Sequence, residues 1–192
     1  MVRPADAASR AEAHPRDFDA WMTAEQRRVF LLCYGLLGNR DEADTASQDV
    51  FLKAYRALRN SESEDLVEPA KWLTRVAVNT CLDRLRSRRW RFWRRRIEPG
   101  DEQTVLAMAP DLGPSAEDRA FAAEIAKRLA AALAGLSGRQ RSVFVLRHYE
   151  DRSLEEIAEI LGLEAGTVKS HLSRALVKLR TELRDLYVRT LE

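Results

Sequence analysis

Apolar residues between Asp17 and about Trp90 recur every three or four positions, with Pro and Gly falling between the runs, which is the spacing of amphipathic helices. Trp21, Val29, Leu32, Cys33 and Leu36 mark a first helix that ends at the Gly38-Asn39 turn signal. Asp41 to Leu58 predicts a second, with Val50, Phe51, Ala54 and Leu58 on one face and acids in its first turns, where the helix dipole favours them. Pro69 opens a third at its first turn. There Trp72, Leu73, Val76, Ala77, Cys81 and Leu85 form an apolar stripe, and Lys71, Arg75, Asn79, Arg84, Arg86 and Arg88 lie largely off it.

The pattern breaks between Ile97 and Ala116, where Pro99, Pro110, Pro114, Gly100 and Gly113 exclude a long helix and acids disfavour a compact fold. Helical periodicity returns with Phe121, Ile125, Leu129, Leu133 and Leu136. Ser137 with Gln140, and Ser153 with Glu156, have the spacing of capping boxes and so fix two further helix starts. Leu154 to Leu161 should bury Leu154, Ile157, Ala158 and Leu161 and stop at Gly162; a last helix from about Ala165 should bury Val168, Leu172, Leu176 and Leu179. No strand alternation or internal repeat is visible. The expectation is an all-α chain of two small helical domains: residues 17–96, an acidic flexible linker over 97–115, and residues 116–192. The length of 192 residues allows two small domains or one of ordinary size.

Charge changes this picture more than composition does. The formal net charge is only +2, yet Lys71 to Arg96 holds ten Lys or Arg and one acid, Asp83. Asp41 to Asp49 holds four acids and no base, and Glu98 to Asp118 holds six acids and no base. Such blocks suit a protein that touches both a polyanion and a basic protein surface. No apolar run approaches the roughly 20 residues of a membrane span, and Met1 to His14 lacks the apolar region of a secretory signal, so a cytoplasmic protein without membrane insertion is expected. Cys33 and Cys81, 48 positions apart in apolar helical patterns, read as core residues, and His14, His148 and His171 are scattered. Neither a metal nor a cofactor is expected, and no paired carboxylates or nucleophile with its base point to an enzyme.

Leu154 to Arg174 has helix-turn-helix grammar: a short capped helix, a turn at Gly162, then a helix with short polar and basic residues on its outer side. Thr167, Lys169, Ser170, Ser173 and Arg174 lie near the N-terminus of the second helix, the part that enters a major groove. The second signal is the run from Arg84 to Arg96, with Trp90, Phe92 and Trp93 among its arginines. Arginines neutralise phosphates and aromatic rings stack on unpaired bases, a combination suited to DNA being opened. A solvated basic helix end is the other reading of the arginines beyond Arg91.

Five blocks, in this order, resemble the extracytoplasmic-function group of bacterial sigma factors. They are Tyr34-Gly-Leu-Leu-Gly-Asn-Arg; Gln48-Asp-Val-Phe-Leu-Lys-Ala-Tyr-Arg-Ala-Leu; Trp72-Leu-Thr-Arg-Val-Ala-Val-Asn-Thr-Cys-Leu-Asp; Arg139-Gln-Arg-Ser-Val-Phe-Val-Leu-Arg-His-Tyr; and Leu154-Glu-Glu-Ile-Ala-Glu-Ile-Leu-Gly-Leu followed by Gly166-Thr-Val-Lys-Ser. The resemblance implies a sigma-2 domain, a linker that threads the RNA exit path, and a sigma-4 domain. It implies that Gln48, Asp49, Leu52, Tyr55 and Arg56 grip the clamp helices of the RNA polymerase beta-prime subunit. Trp72, Arg75, Asn79, Thr80, Arg84, Arg86 and Arg88 would meet the minus-10 element, with Asn79 at a base-reading position. Thr167, Lys169, Ser170, His171, Ser173, Arg174 and Lys178 would meet the minus-35 duplex while the domain rests on the beta flap. An anti-sigma factor is an implied partner.

Three positions depart from the family pattern. Thr45-Ala46 stands where Asp-Leu is common, Glu164 replaces a Ser cap, and His171 stands where Arg is common. An alternative from another class, a helix-turn-helix repressor or activator with an N-terminal ligand or dimerisation domain, accounts for Leu154 to Lys178 but not for the basic-aromatic run or the acidic linker. A small nucleic-acid hydrolase lacks the residues for its chemistry.

Overall fold

A computed structural model describes residues 17–59, 68–91, 125 and 127–184. Asp17 begins the first helix, α1 (Phe18–Leu37), by accepting the Ala20 N–H at 3.1 Å. Gly38 ends it at φ 69°, a left-handed conformation that places its N–H 2.7 Å from the Tyr34 carbonyl. Asn39 then caps α2 (Arg40–Arg59), its side-chain oxygen accepting the Glu42 N–H at 2.9 Å. Pro69 opens α3 (Pro69–Arg91), as the missing N–H of proline allows at a first turn. Val29, Leu32, Cys33 and Leu36 from α1, Ala43, Ala46, Val50 and Ala54 from α2, and Leu73, Ala77, Val78 and Cys81 from α3 form a buried bundle core.

The C-terminal half contains a helical stretch α4 (127–134), then α5 (Gly138–His148), α6 (Leu154–Leu161) and α7 (Ala165–Glu182). Both expected capping boxes are complete. Ser137 accepts the Gln140 N–H while Gln140 accepts the Ser137 N–H, and Ser153 and Glu156 repeat the exchange. Gly162 stops α6 at φ 61°. The all-helical architecture expected from periodicity is therefore present, with seven helices and no strand among the described residues. Along α7 the buried positions are Val168, Ala175 and Leu179, with Leu172 and Leu176 half-buried: the α7 stripe is turned slightly from the one expected, because Ala175 is the residue small enough to sit against Ala132 and Leu136.

The two halves share one continuous apolar core, in which Val143, Val145, Leu146, Ile157 and Val168 join the α1–α3 cluster. At Gly138 a β-carbon would lie 3.5 Å from Leu82 and Leu85, so α5 begins close against α3. Arg141 reaches across to donate to the Leu36 carbonyl at 3.0 Å. Polar contacts complete the junction. Arg28 of α1 donates to Glu25 at 2.5 Å, to the Thr74 hydroxyl at 2.9 Å and to Glu150, which follows α5. Burial alone would lower the Arg28 pKa, but Glu150 and Glu25 more than offset it and hold the guanidinium charged. The linker assigned to 97–115, Phe121, the start of the second unit near Ala116 and the run from Phe92 to Arg96 lie outside the described residues.

Two substitutions separate capping from backbone strain. Ser153→Ala removes the α6 cap and should cost about 1 kcal/mol in denaturant unfolding. A β-carbon at Gly162 meets nothing within 4 Å, so Gly162→Ala should also cost about 1–2 kcal/mol, from its positive φ alone. Neither variant should change the unfolding slope; a cost near zero for both would contradict these helix stops.

Candidate functional site

The outer face of α2 carries the first cluster. Because Ala43, Ala46, Val50 and Ala54 turn inward, Gln48, Leu52, Tyr55 and Arg56 project outward, with Asp49 partly covered beside them. Leu52 and Tyr55 are 46% and 42% exposed, unusual for large apolar side chains in the middle of a helix. Tyr55 is thus an edge residue and not core; its ring meets Phe18 edge-on at 5.3 Å and lies under Arg59 at 5.7 Å. A groove of about 730 Å³ runs between α1 and α2, lined by Phe18, Met22, Phe30, Phe51, Leu52 and Tyr55. Of the pair that departs from the family pattern, Ala46 is buried and Thr45 donates to its own helix at the Asp41 carbonyl.

The exposed side of α3 presents Arg75, Asn79 and Arg86, with Trp72 and Arg84 half-covered. Thr80 is a correction: it is 4% exposed and its hydroxyl accepts from Lys53 at 2.8 Å, so it packs between α2 and α3 and cannot meet DNA there. Arg84 is bound to Asp49 at 2.5 Å, which joins a residue expected to read DNA to one expected to grip protein. Arg86 pairs with Asp83 at 3.3 Å in the open. Arg75 donates to the Glu159 carbonyl at 3.1 Å. The side chain of Arg88, like those of Trp90 and the residues after Arg91, is outside the described residues.

On α7, Thr167, Lys169, Ser170, Ser173, Arg174 and Lys178 are exposed and His171 is half-covered, while Val168, Ala175 and Leu179 hold the opposite side against the core. Ser170 donates back to the Gly166 carbonyl at 2.9 Å. Glu164 makes no side-chain cap bond to α7, in line with its replacement of a better capping residue. The His171 pKa lies below the ordinary value, first through burial and then through Arg174 and Arg139, so its ring is neutral at pH 7.

Several residues at these faces were not singled out from sequence. Glu25 and Arg28 occupy the same stripe as Trp21, Leu32 and Leu36, so charged groups on an apolar face were the available signal for a buried ion cluster. Lys53, Thr74, Glu150 and Glu159 carried no such signal. Cys33 and Cys81 are free and fully buried, and their thiols meet across α1 and α3. The hydrogen bond that the Cys81 thiol makes to Cys33, followed by burial, pushes the Cys81 pKa up.

Three outward faces on a helical scaffold, one amphipathic and two cationic, define a protein that docks on another macromolecule and contacts nucleic acid. The family model for Sigma-70 region 2 matches residues 21–91 and that for Sigma-70 region 4 matches residues 123–179. The chain belongs to the sigma-70 family of transcription initiation factors, in its extracytoplasmic-function (ECF) group. Among its relatives is the ECF RNA polymerase sigma factor SigW of Bacillus subtilis, 33% identical over 161 residues, covering 83% of this chain and 84% of that one. The RNA polymerase sigma-E factor of Streptomyces coelicolor is 35% identical over 180 residues, 92% of each chain. In fold, the chain resembles the sigma factor RpoE of Bartonella quintana, solved with the anti-sigma factor NepR, at a TM-score of 0.64 and 24% identity over 88% of this chain and 98% of that one.

His171 provides a pH test of the α7 face. A neutral ring offers no charge to phosphate, and its depressed pKa means that it protonates only below the ordinary histidine range. Binding of the RNA polymerase holoenzyme to a minus-35 duplex should therefore not change through this residue between pH 7 and 8. His171→Arg should strengthen that binding and steepen its salt slope by about one. An unchanged salt slope would place His171 away from the phosphates.

Proposed function

We propose that this chain carries out promoter-specific initiation with a division of labour among its three faces. The outward face of α2, through Gln48, Asp49, Leu52, Tyr55 and Arg56, takes the clamp helices of the polymerase beta-prime subunit. The exposed side of α3, centred on Asn79 with Trp72, Arg75, Arg84, Arg86 and Arg88, captures the opened minus-10 strand. The α6–α7 pair reads the minus-35 duplex through Thr167, Lys169, Ser170, His171, Ser173, Arg174 and Lys178, and rests on the beta flap. The sigma-2 unit spans residues 17–96 and the sigma-4 unit 116–192, with an acidic linker between them suited to a basic RNA channel. The protein acts in the cytoplasm, is not an enzyme, needs no cofactor and is held inactive by an anti-sigma factor.

The observation that carries this reading is the exposure of Leu52 and Tyr55 beside an apolar groove, on the outer side and flank of α2. Apolar area of that kind on a helix flank marks a protein-binding surface. Support for the DNA faces is the outward placement of Asn79 and Arg174 on helices whose other sides are anchored in the core. A repressor reading leaves the α2 face without a task.

Two experiments test it. Tyr55→Ala should lower affinity for core polymerase at least about tenfold, roughly 1.4 kcal/mol, because partly exposed aromatics act as binding anchors. Helical content should be retained; loss of helicity would show instead that Tyr55 stabilises the bundle. Arg174→Ala in holoenzyme should weaken binding to duplex minus-35 DNA, whereas Asn79→Ala should leave closed-complex binding nearly intact and impair melting. A template premelted over the minus-10 region should bypass the strand-opening defect of Asn79→Ala, leaving only its changed base preference, and leave the Arg174→Ala binding defect in place. Identical responses of the two variants would contradict the division of labour.

A further inference from the structure

One acid interrupts the basic stretch that α3 carries. Between Lys71 and Arg96 the chain holds ten Lys or Arg and a single acid, Asp83. The helix places that acid in the open. Arg75, Asn79, Asp83 and Arg86 are all exposed and follow one another at spacings of four, four and three, so they line one stripe of α3. Asp83 thus stands one turn beyond Asn79, on the side assigned to the opened minus-10 strand. Its side chain is 68% exposed, and Arg86 donates to one of its oxygens at 3.3 Å. Among the described residues Arg86 is its one partner, which leaves the second oxygen open.

Neither stability nor phosphate binding accounts for a carboxylate at that place. An exposed ion pair within one helix contributes little to folding. Beside a nucleic-acid strand the same charge repels phosphate and weakens the attraction that the neighbouring cations supply. What a carboxylate can do on such a face is accept hydrogen bonds from base edges while offering none.

We propose that Asp83 is a second base-reading residue of α3, which takes the Watson–Crick edge of an unpaired guanine beside the base met by Asn79. The proposal rests on the reading of α3 as the minus-10 face. The four bases differ in what this edge offers an acceptor. Guanine presents two adjacent donors, N1–H and the N2 amine, spaced to meet both oxygens of one carboxylate. Adenine and cytosine present an amine beside a ring-nitrogen acceptor, and thymine an N–H between two carbonyls, so with each of them the second carboxylate oxygen meets an acceptor. A carboxylate has about four lone-pair sites, so Arg86 at one of them leaves room for both guanine bonds and holds the group in place. In duplex DNA these guanine donors are engaged by cytosine, so the contact forms only after the strands part. Asn79 and Asp83 are about 6 Å apart along the helix at roughly 1.5 Å per residue, more than the roughly 3.4 Å between stacked bases, so they address different bases.

Holoenzyme assembled from core polymerase and the full chain can be presented with templates premelted over the minus-10 region and randomised in the opened strand, and the bound fraction sequenced. The wild-type chain should enrich guanine at one position at least about fivefold over the other bases. Asp83→Ala should flatten that position and no other. Asp83→Asn should turn it towards adenine, whose donor and acceptor match a carboxamide. Hypoxanthine keeps N1–H and lacks the N2 amine. At that position it should bind the wild-type chain at least about threefold more weakly than guanine does, and should bind Asp83→Ala as well as guanine does. Both substitutions fall at an exposed site, so helical content by circular dichroism should be retained. Variants that bind every sequence more tightly with unchanged preference would show that Asp83 only repels phosphate and would overturn the proposal, as would a guanine preference indifferent to hypoxanthine. Asn79→Ala in the same selection separates the two claims. A preference changed by Asn79→Ala but by neither Asp83 variant removes the second reader and keeps α3 as the minus-10 face; no change from either residue removes both.

Discussion

A guanidinium removed from water must find acceptors or the fold does not close, and Arg28 is that group here. Its acceptors come from three places in the chain: Glu25 one turn back on α1, Thr74 on α3, and Glu150 beyond α5. Replacing Arg28 would leave two buried carboxylates without their cation, which costs several kcal/mol, so the cluster fixes how α5 lies on α1 and α3. The placement of α5 then determines the rest. Gly138 sits against Leu82 and Leu85, Arg141 reaches Leu36, and α6 arrives over the N-terminal end of α3 with Glu159 at Lys71.

The same packing explains how three exposed faces fit on so few helices. Each of α2, α3 and α7 anchors one side in apolar core and leaves the other exposed, so an open face needs no extra scaffold. Neighbouring faces are also tied to one another. Asp49 on α2 holds Arg84 on α3, and Lys53 on α2 holds the buried Thr80. A shift of α2 therefore displaces side chains beside the exposed surface of α3 through direct contacts. On the proposed division of labour, that link couples polymerase binding on α2 to strand capture on α3.

Much of this was readable in advance because it is local. Gly38, Pro69, the two Ser-centred capping boxes and Gly162 act within a turn of themselves, and each begins or ends the helix expected of it. The outward residues of α2 were implied by the family resemblance, and those of α7 by their place near its N-terminus. What was not readable is non-local or depends on a few degrees of rotation. Nothing at Arg28 points to an acid 122 positions away, and nothing at Cys33 points to Cys81. Thr80 beside Asn79 looked equally available to DNA, yet one step around α3 turns Asn79 outward and Thr80 onto Lys53. The apolar stripe alone could not separate them, since Val78 and Leu82 also turn inward and widen the buried side.

The central claim is that this chain gives core polymerase a two-part promoter specificity. Sigma-free core polymerase, supplied with the protein and a library of promoter fragments, should produce transcripts whose mapped 5′ ends lie downstream of two unlike sequence blocks at a fixed spacing. Those starts should vanish when either the protein or core is omitted. A single palindromic block, or specific DNA selection by the protein without core, would contradict the account and favour a dimeric helix-turn-helix regulator.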